Sequence, residues 1–173
     1  PSGKLPITFY RSSSSLPDFN DYNMKNRTYR YFSGELSYPF GYGLNYSNFE
    51  FQDIKLSKTK LTNEEQFIIS FDVFNNSLNK GKEVVQVYVK QENNLPHQPL
   101  WSLKHFIKIE IKAHEKKPIK FHLNTNIFKL FNEKGQEVLF RGEYSIMIAN
   151  CSPLNKDQNL PKTQFLRKKI TIL

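Results

Sequence analysis

The sequence predicts an all-β fold, an antiparallel β-sandwich with an extended N-terminal arm. Segments in which apolar and polar residues alternate recur along residues 46–173, which is the pattern of strands with one buried face. Turn-forming residues separate these segments, and no long helix is predicted between them. About seven principal strands are expected, which gives each sheet three or four.

The strands can be assigned in chain order. The first contains Phe49, Phe51 and Leu56, with an irregularity near Asp53, and residues 58–65 are predicted to be its turn. One face of the next strand, 66–74, carries four apolar residues: Phe67, Ile69, Phe71 and Val73. Further strands are predicted at 83–90, 103–111, 119–123, 138–140, 144–148 and 168–173, and residues 126–131 are expected to form a short helical turn or strand.

Strand 83–90 is predicted to have two unlike faces. Its valines at 85, 87 and 89 point to the core, whereas the mixed residues Val84, Gln86, Tyr88 and Lys90 form an outer surface with modest cover. In strand 103–111, Phe106 is expected to begin the apolar set.

Residues 1–45 read differently. Leu5 to Phe9 alternates around Pro6, which suits an edge strand or an extended arm, because proline cannot donate to a ladder. Residues 16–32 are rich in Asn, Asp, Arg and aromatic residues without sustained periodicity. Such a segment gains order mainly by lying on another surface.

The arm ends in the sequence Tyr38-Pro39-Phe40-Gly41-Tyr42-Gly43-Leu44. Proline and two glycines make a regular strand or helix unfavourable, while the aromatic residues provide apolar surface to bury. We therefore expect an irregular structural anchor, in which Tyr38, Phe40, Tyr42 and Leu44 are largely buried against the sandwich.

This anchor and its flanks, Arg27 to Phe32 and Asn45 to Phe49, resemble the linker of family 3 glycoside hydrolases, where "YPFGYGLSYTxF" is typical. Pro1 to Phe9 is similar to the "PSGRLPxTFP" strand of that family, and Lys82 to Val89 to its "GDEVVQLYV" strand. Leu16 to Met24 resembles the β-xylosidase branch more than the simplest β-glucosidases.

The resemblance implies a fibronectin type III-like domain at residues 46–173. It also implies that residues 1–45 are a linker that includes the last strand of an upstream α/β sandwich domain. The chain would then be a non-catalytic C-terminal module of a longer β-xylosidase or β-glucosidase acting on β-linked plant-type glycans. Its partners would be the upstream catalytic domains of the same polypeptide, and a periplasmic or secreted location is favoured. Without its native sheet, Leu5 to Phe9 could pair with another molecule.

Catalysis by this chain alone is not expected. Glycoside hydrolysis generally uses two carboxylates, and in the family that the sequence resembles both lie upstream of this segment. Asp18 and Asp21 form the best local pair, but turns capped by their own side chains explain them more simply. The four histidines, at 97, 105, 114 and 122, have no ligand-like spacing, so neither a metal site nor a cofactor is predicted.

The formal charge of +9 raises the possibility of an anionic partner. Lysines at 104, 108, 112, 116, 117 and 120 cluster around two predicted strands. Since Lys108 and Lys112 alternate with isoleucines, a solvated strand face is favoured over a nucleic-acid surface. No apolar stretch is long enough to span a membrane. Cys151, the only cysteine, is expected to be a half-buried small hydrophobe or an inert surface thiol.

An alternative function remains open from the sequence. Trp101, with Tyr88 or His97 nearby, could form an aromatic platform for a sugar or polymer. Stacking against a sugar requires an exposed flat ring with polar neighbours, whereas a buried tryptophan is a packing residue. The exposure of Trp101 therefore distinguishes a carbohydrate-binding module from a structural one.

Overall fold

A computed structural model describes residues 1–93, 97–153 and 160–173. Two sheets face each other across one apolar core, which confirms the predicted antiparallel β-sandwich. The strands are β1 (Phe9–Tyr10), β2 (Leu36–Tyr38), β3 (Phe49–Leu56), β4 (Lys60–Leu61), β5 (Gln66–Asn75), β6 (Gly81–Gln91), β7 (Ser102–Ile111), β8 (Lys116–Asn124), β9 (Leu130–Phe131), β10 (Glu137–Val138), β11 (Gly142–Ala149) and β12 (Phe165–Ile172). The helices are α1 (Thr28–Tyr31) and two 3-10 turns, Ser13–Ser15 and Thr125–Phe128. No helix in the described ranges is long and apolar enough to cross a membrane.

The smaller sheet has the order β3-β5-β8, and the larger sheet has the order β4-β12-β11-β6-β7. Seven strands have eight or more residues, as the sequence pattern predicts. Neighbouring strands are antiparallel except β4, which runs parallel to β12. Residues 58–65 are therefore more than a turn, because Lys60 and Leu61 add a short edge strand and Leu61 is fully buried.

The structure confirms one predicted detail of the strands, at Asp53, and corrects another, at Phe106. Asp53 has φ 58°, and the register of β3 shifts between Gln52 and Lys55, which confirms the predicted irregularity. Phe106, in contrast, is 64% exposed and does not begin a buried set. It lies three residues before the buried Ile109, so the alternation of a strand places the two side chains on opposite faces.

The arm, residues 1–45, folds back on itself and onto the larger sheet. β1 pairs with β2 in an antiparallel ladder, and Leu5 exchanges backbone hydrogen bonds of 2.8 Å with Gly41 and Tyr42. Leu5 to Phe9, which we expected to lack its native sheet, thus pairs with other segments of its own arm. Self-association through Leu5 to Phe9 stays a prediction.

The outer face of β6 is also more covered than the alternation suggests. Gln86 is 3% exposed and Tyr88 is completely buried, although both lie on the face away from the sandwich core. Tyr88 forms a second apolar cluster with Met147 and Ala149, against which Tyr29 and Phe40 of the arm pack. The prediction of modest cover is therefore wrong at Gln86 and Tyr88, whereas Val84 and Lys90 are half-buried.

Candidate functional site

The candidate functional site is the interface between the arm and the outer face of the larger sheet. The anchor segment does not behave uniformly there. Tyr42 is buried, as expected, and so are Pro39 and Gly41, but Phe40 is only half-buried. Tyr38, however, is 47% exposed and Leu44 is 66% exposed, which corrects the prediction for these two residues.

The exposure of Tyr38 and Leu44 has a local explanation. The Tyr38 ring stacks on Tyr42, with centroids 5.5 Å apart, and meets the edge of Phe9 at 6.4 Å. Tyr38 therefore packs within the outer layer of the arm and not on the sheet. Leu44 belongs to neither of the two buried apolar clusters.

The two glycines of the anchor allow its backbone to approach the sheet closely at Gly41 and the beginning of the arm closely at Gly43. Gly41 has φ 77°, a left-handed conformation that side chains disfavour, and an added Cβ would strike the amide of Gln86. At Gly43 an added Cβ would strike the carbonyl of Gly3. Close approach and positive φ are the two properties for which glycine is suited, so both residues are explained by the packing of the arm.

A buried hydrogen-bond network joins the anchor to the sheet. The Gln86 side-chain amide donates to the carbonyl oxygens of Gly41 at 3.2 Å and Asn150 at 2.9 Å. Its own oxygen accepts a bond of 2.5 Å from the Tyr88 hydroxyl. The backbone N–H of Ser152 donates to the Phe40 carbonyl at 2.7 Å. These bonds satisfy polar groups that burial under the arm removes from water.

An ion pair fixes the N-terminal end of the arm. The Lys4 ammonium lies 2.7 Å from the Glu83 carboxylate, and their side chains are only 13% and 4% exposed. Glu83 also accepts a bond from the Val84 N–H at 2.7 Å. Sequence reasoning missed this pair, because the two residues belong to different segments and no local pattern connects them.

Tyr29 of α1 connects the arm to β7 and to the outer cluster. Its ring stacks on the Phe40 ring, with centroids 4.5 Å apart, and makes an edge contact with the Tyr88 ring, with centroids 5.9 Å apart. Its hydroxyl accepts a bond of 3.2 Å from the Leu103 N–H. Burial between these groups raises the pKa of the Tyr88 hydroxyl far above its ordinary value, so this group remains a hydrogen-bond donor.

Cys151 lies beside the same interface and is 5% exposed. Burial raises the pKa of its thiol to about 12, so it carries very little thiolate near neutral pH. This confirms an inert thiol and places it in the interior, not on the surface.

Trp101 is half-buried against the outer cluster, not fully exposed. The Arg167 guanidinium lies 5.5 Å from its ring centroid, a cation–π distance. Arg167 is itself held by Ser145 at 2.8 Å and Glu92 at 2.5 Å. Although burial alone would raise the pKa of Glu92, its bond from Ser145 and the nearby Lys90 and Arg167 keep it below the ordinary value.

The other candidate residues do not converge on a catalytic arrangement. Asp18 and Asp21 each accept a bond from the backbone N–H two residues later, at 2.8 and 2.9 Å, which confirms the capped turns. The His105 ring packs against the edge of Phe121 at 4.7 Å, while His114 lies exposed on a turn. Within the described part of the chain, no three His, Cys, Asp or Glu residues are grouped to hold a metal ion.

Comparison with known proteins agrees with this architecture. Residues 83–152 match the model of the fibronectin type III-like domain. The chain is 39% identical to a putative β-xylosidase of Formosa agariphila, over 98% of this chain and 22% of the relative. It is 35% identical to a xylan 1,4-β-xylosidase of Xylanibacter ruminicola, over 91% of this chain and 18% of the relative.

Solved structures give the same result. β-Glucosidase 3B of Thermotoga neapolitana superposes with a TM-score of 0.77 and 28% identity, covering 99% of this chain and 24% of that one. The GH3 β-glucosidase of Bifidobacterium adolescentis also gives 0.77, with 27% identity, covering 99% of this chain and 26% of that one. The chain spans about a fifth of the length of its curated relatives.

Proposed function

Because the chain belongs to the fibronectin type III-like C-terminal region of family 3 glycoside hydrolases, we propose that it is a non-catalytic module that stabilises and positions the catalytic domains of a longer polypeptide. Residues 46–173 form the module in this proposal, and residues 1–45 are the linker that connects it to those domains. The names of the relatives favour an enzyme that acts on β-linked xylose or glucose units.

The observation that carries the proposal is the number of exposed apolar side chains in the arm. Phe19 is 90% exposed and Tyr22 is 88% exposed, and Ile7, Phe9 and Tyr38 are exposed between 42% and 56%. Exposed apolar side chains concentrated in one segment are typical of interaction surfaces. The arm therefore packs on the sandwich and also carries apolar groups suited to contact a neighbouring domain.

The remaining length of the relatives supports the choice of occupant. Close to four-fifths of each β-xylosidase relative lies outside the matched region. An arm attached to such a region would meet it at an effective concentration set by the short connection, so weak contacts would suffice for docking.

The module alone should not hydrolyse aryl β-xylosides or β-glucosides. Asp18 and Asp21 cap turns in the arm, and the two carboxylates that the chemistry requires are expected upstream. The purified chain should therefore show no turnover. Activity that disappears in Asp18→Asn or Asp21→Asn would contradict the non-catalytic assignment.

Docking can be tested in a chimera. The matched region of the X. ruminicola xylosidase is replaced by this chain, with and without the double substitution Phe19→Ser and Tyr22→Ser. We expect the double variant to lower the melting temperature of the chimera while leaving that of the isolated chain unchanged. Leu78→Ser is the matched control, because Leu78 is 83% exposed but lies in the loop between β5 and β6.

Equal melting temperatures for the unsubstituted and double-variant chimeras would contradict docking through Phe19 and Tyr22. The alternative of a sugar platform on Trp101 gains no support from the geometry. Its ring packs on the outer cluster, and Arg167 lies over it.

A further inference from the structure

A cavity of about 570 Å³ lies where the arm meets the loop that precedes β7. Six of its described lining residues are polar: Asp21, Asn23, Lys25, Asn26, His97 and Gln98. Small-molecule sites typically measure about 300–1,000 Å³, so the volume is sufficient for a small ligand. None of these residues belongs to the interface of the anchor with the sheet.

Hydrogen bonds hold the arm side of the cavity in place. The Arg27 guanidinium donates to the carbonyl oxygens of Asp21 at 2.5 Å, Asn23 at 3.1 Å and Asp18 at 3.3 Å. One side chain thus fixes the loop that carries Asp21 and Asn23. A wall fixed in this way loses less conformational freedom when a ligand binds.

The opposite side is held equally well. The Leu100 N–H donates to the Arg30 carbonyl at 2.6 Å, and the Gln98 side-chain amide donates to the Phe131 carbonyl at 2.6 Å. These bonds connect the loop to the arm at one end and to β9 at the other. Hydrogen bonds therefore hold in place both chain segments that bound the cavity.

The lining keeps hydrogen-bonding capacity for a ligand. Asp21 uses Oδ1 for both bonds from Asn23, and Gln98 uses its nitrogen. Among the described residues, Asp21 Oδ2 and Gln98 Oε1 accept no bond, and the Lys25, Asn26 and His97 side chains make none. Acceptors and donors therefore face the same space, which matches hydroxyl groups because a hydroxyl both donates and accepts.

The charge and the apolar residues of the lining narrow the ligand class further. One carboxylate, Asp21, and one ammonium, Lys25, balance each other, so the cavity does not favour a strongly charged ligand. Tyr31, Met24 and Leu100 supply apolar surface beside the polar groups. A sugar ring presents hydroxyl groups at its rim and C–H groups on its faces, and it suits this combination.

We propose that the cavity between the loops 21–31 and 97–100 binds a neutral saccharide unit, with Asp21, Gln98, Lys25 and His97 as its polar contacts. This site shares no residue with the proposed docking contacts Phe19 and Tyr22 or with Trp101. It would give the module an affinity for the glycan that requires no catalytic carboxylate.

The test is a calorimetric titration of the full chain with xylobiose and with cellobiose, with sorbitol as an acyclic polyol. We expect saturable binding of at least one disaccharide and none of sorbitol. Asp21→Asn should weaken binding about tenfold or more, as expected for loss of a hydrogen bond to a charged group. His97→Ala should weaken it in the same direction.

Matched controls separate ligand contacts from loop folding. Asp18→Asn alters a capped turn of the same kind in the same loop, but Asp18 does not line the cavity. His114→Ala alters a histidine with a similar left-handed backbone, φ 55° against 61° for His97. Both controls should bind as the unsubstituted chain does.

Three results would overturn the proposal: no saturable binding of either disaccharide, equal weakening by the control substitutions, or loss of binding in Trp101→Ala without loss in Asp21→Asn. Because the titration uses the isolated chain, its outcome is independent of whether the arm docks on catalytic domains.

Discussion

The two faces of the larger sheet are both buried, but they are buried in different ways. The inner face meets the smaller sheet through a continuous apolar cluster, to which β5, β6 and β11 each contribute alternate residues. The outer face meets one layer of the arm, and Tyr88, Met147 and Ala149 are the buried members of its apolar cluster. Beside them, Gln86 and Glu83 are buried and depend on specific partners from the arm and the sheet.

Apolar contact area therefore stabilises the inner face, whereas the outer face also depends on specific polar partners. Truncating an inner side chain removes contact area, but losing the arm leaves buried polar groups without partners.

Removal of residues 1–44 should have the largest effect. It uncovers Tyr88 and Met147 and removes Lys4 from Glu83, at about 1.5–3 kcal/mol for each large apolar side chain. We expect a clearly lower melting temperature with a retained β-rich circular dichroism spectrum, because the inner core is intact. If the full chain and the version starting at Asn45 melt together, the arm contributes nothing to stability and the comparison fails.

Phe128→Ala tests the inner face. Phe128 is fully buried, and its ring centroid lies 5.8 Å from that of Phe67 and 5.1 Å from that of Tyr144. Truncation to alanine should therefore lower the free energy of unfolding by about 3–5 kcal/mol. Urea denaturation gives the value. Phe106→Ala is the control, since this phenylalanine is 64% exposed and its loss should change stability little. Similar costs for both would show that the inner core is not the main source of stability.

Lys4→Met tests a single partner on the outer face. It leaves the Glu83 carboxylate buried without its ammonium, so we expect a loss of about 3 kcal/mol, near the lower end for breaking a buried pair. Adding Glu83→Gln should recover much of this loss in thermal unfolding. No recovery in the double variant would show that Lys4 acts through packing of its stem.

The same ion pair changes the expectation for a shorter deletion. From the sequence alone, removal of residues 1–15 should alter the melting temperature little. Since this segment carries Lys4 and the paired Leu5, we now expect it to melt measurably lower than the full chain.

Glu65 should give the smallest effect, in a turn of the sandwich far from the arm. Bonds from Lys58 and then Thr62 lower the pKa of this carboxyl to about 2, from an ordinary value of 4.5. Its contribution to stability is therefore present above pH 4.5 and is lost as the pH falls towards 2. Melting curves of the unsubstituted chain and Glu65→Gln should converge over that interval, and a constant difference would contradict this assignment.

The inner face could be predicted from the sequence because its information is local. Phe67, Ile69, Phe71 and Val73 alternate in one segment, and each is at most 2% exposed in the structure. β4 could not be found in this way, since two residues show no periodicity. Phe106 was misplaced because an apolar residue near a run of isoleucines does not reveal which face it occupies.

The outer face and the candidate sites required contacts between distant segments. Gln86 and Tyr88 are buried by the arm, and no property of β6 itself predicts that cover. Within the anchor, the burial of Tyr42 and the irregular backbone at the two glycines could be predicted from residue chemistry. The exposure of Tyr38 could not, because its ring stacks on Tyr42 inside the arm. The lining of the cavity comes from two separate loops, so sequence spacing could not bring Asp21 and His97 together.

Cys151 offers a way to time the movement of the arm. The thiol is buried beside Lys4, Tyr42 and Tyr88. It interacts electrostatically with the Lys4 ammonium and with both tyrosine hydroxyls. A thiol reagent can react only when the segments around the sulfur, which include the arm and residues 163–165, move apart or the whole chain unfolds, because the closed state hides the sulfur and disfavours the thiolate. The labelling rate of this one natural cysteine would therefore count openings of the interface, with no dye or substitution introduced beforehand.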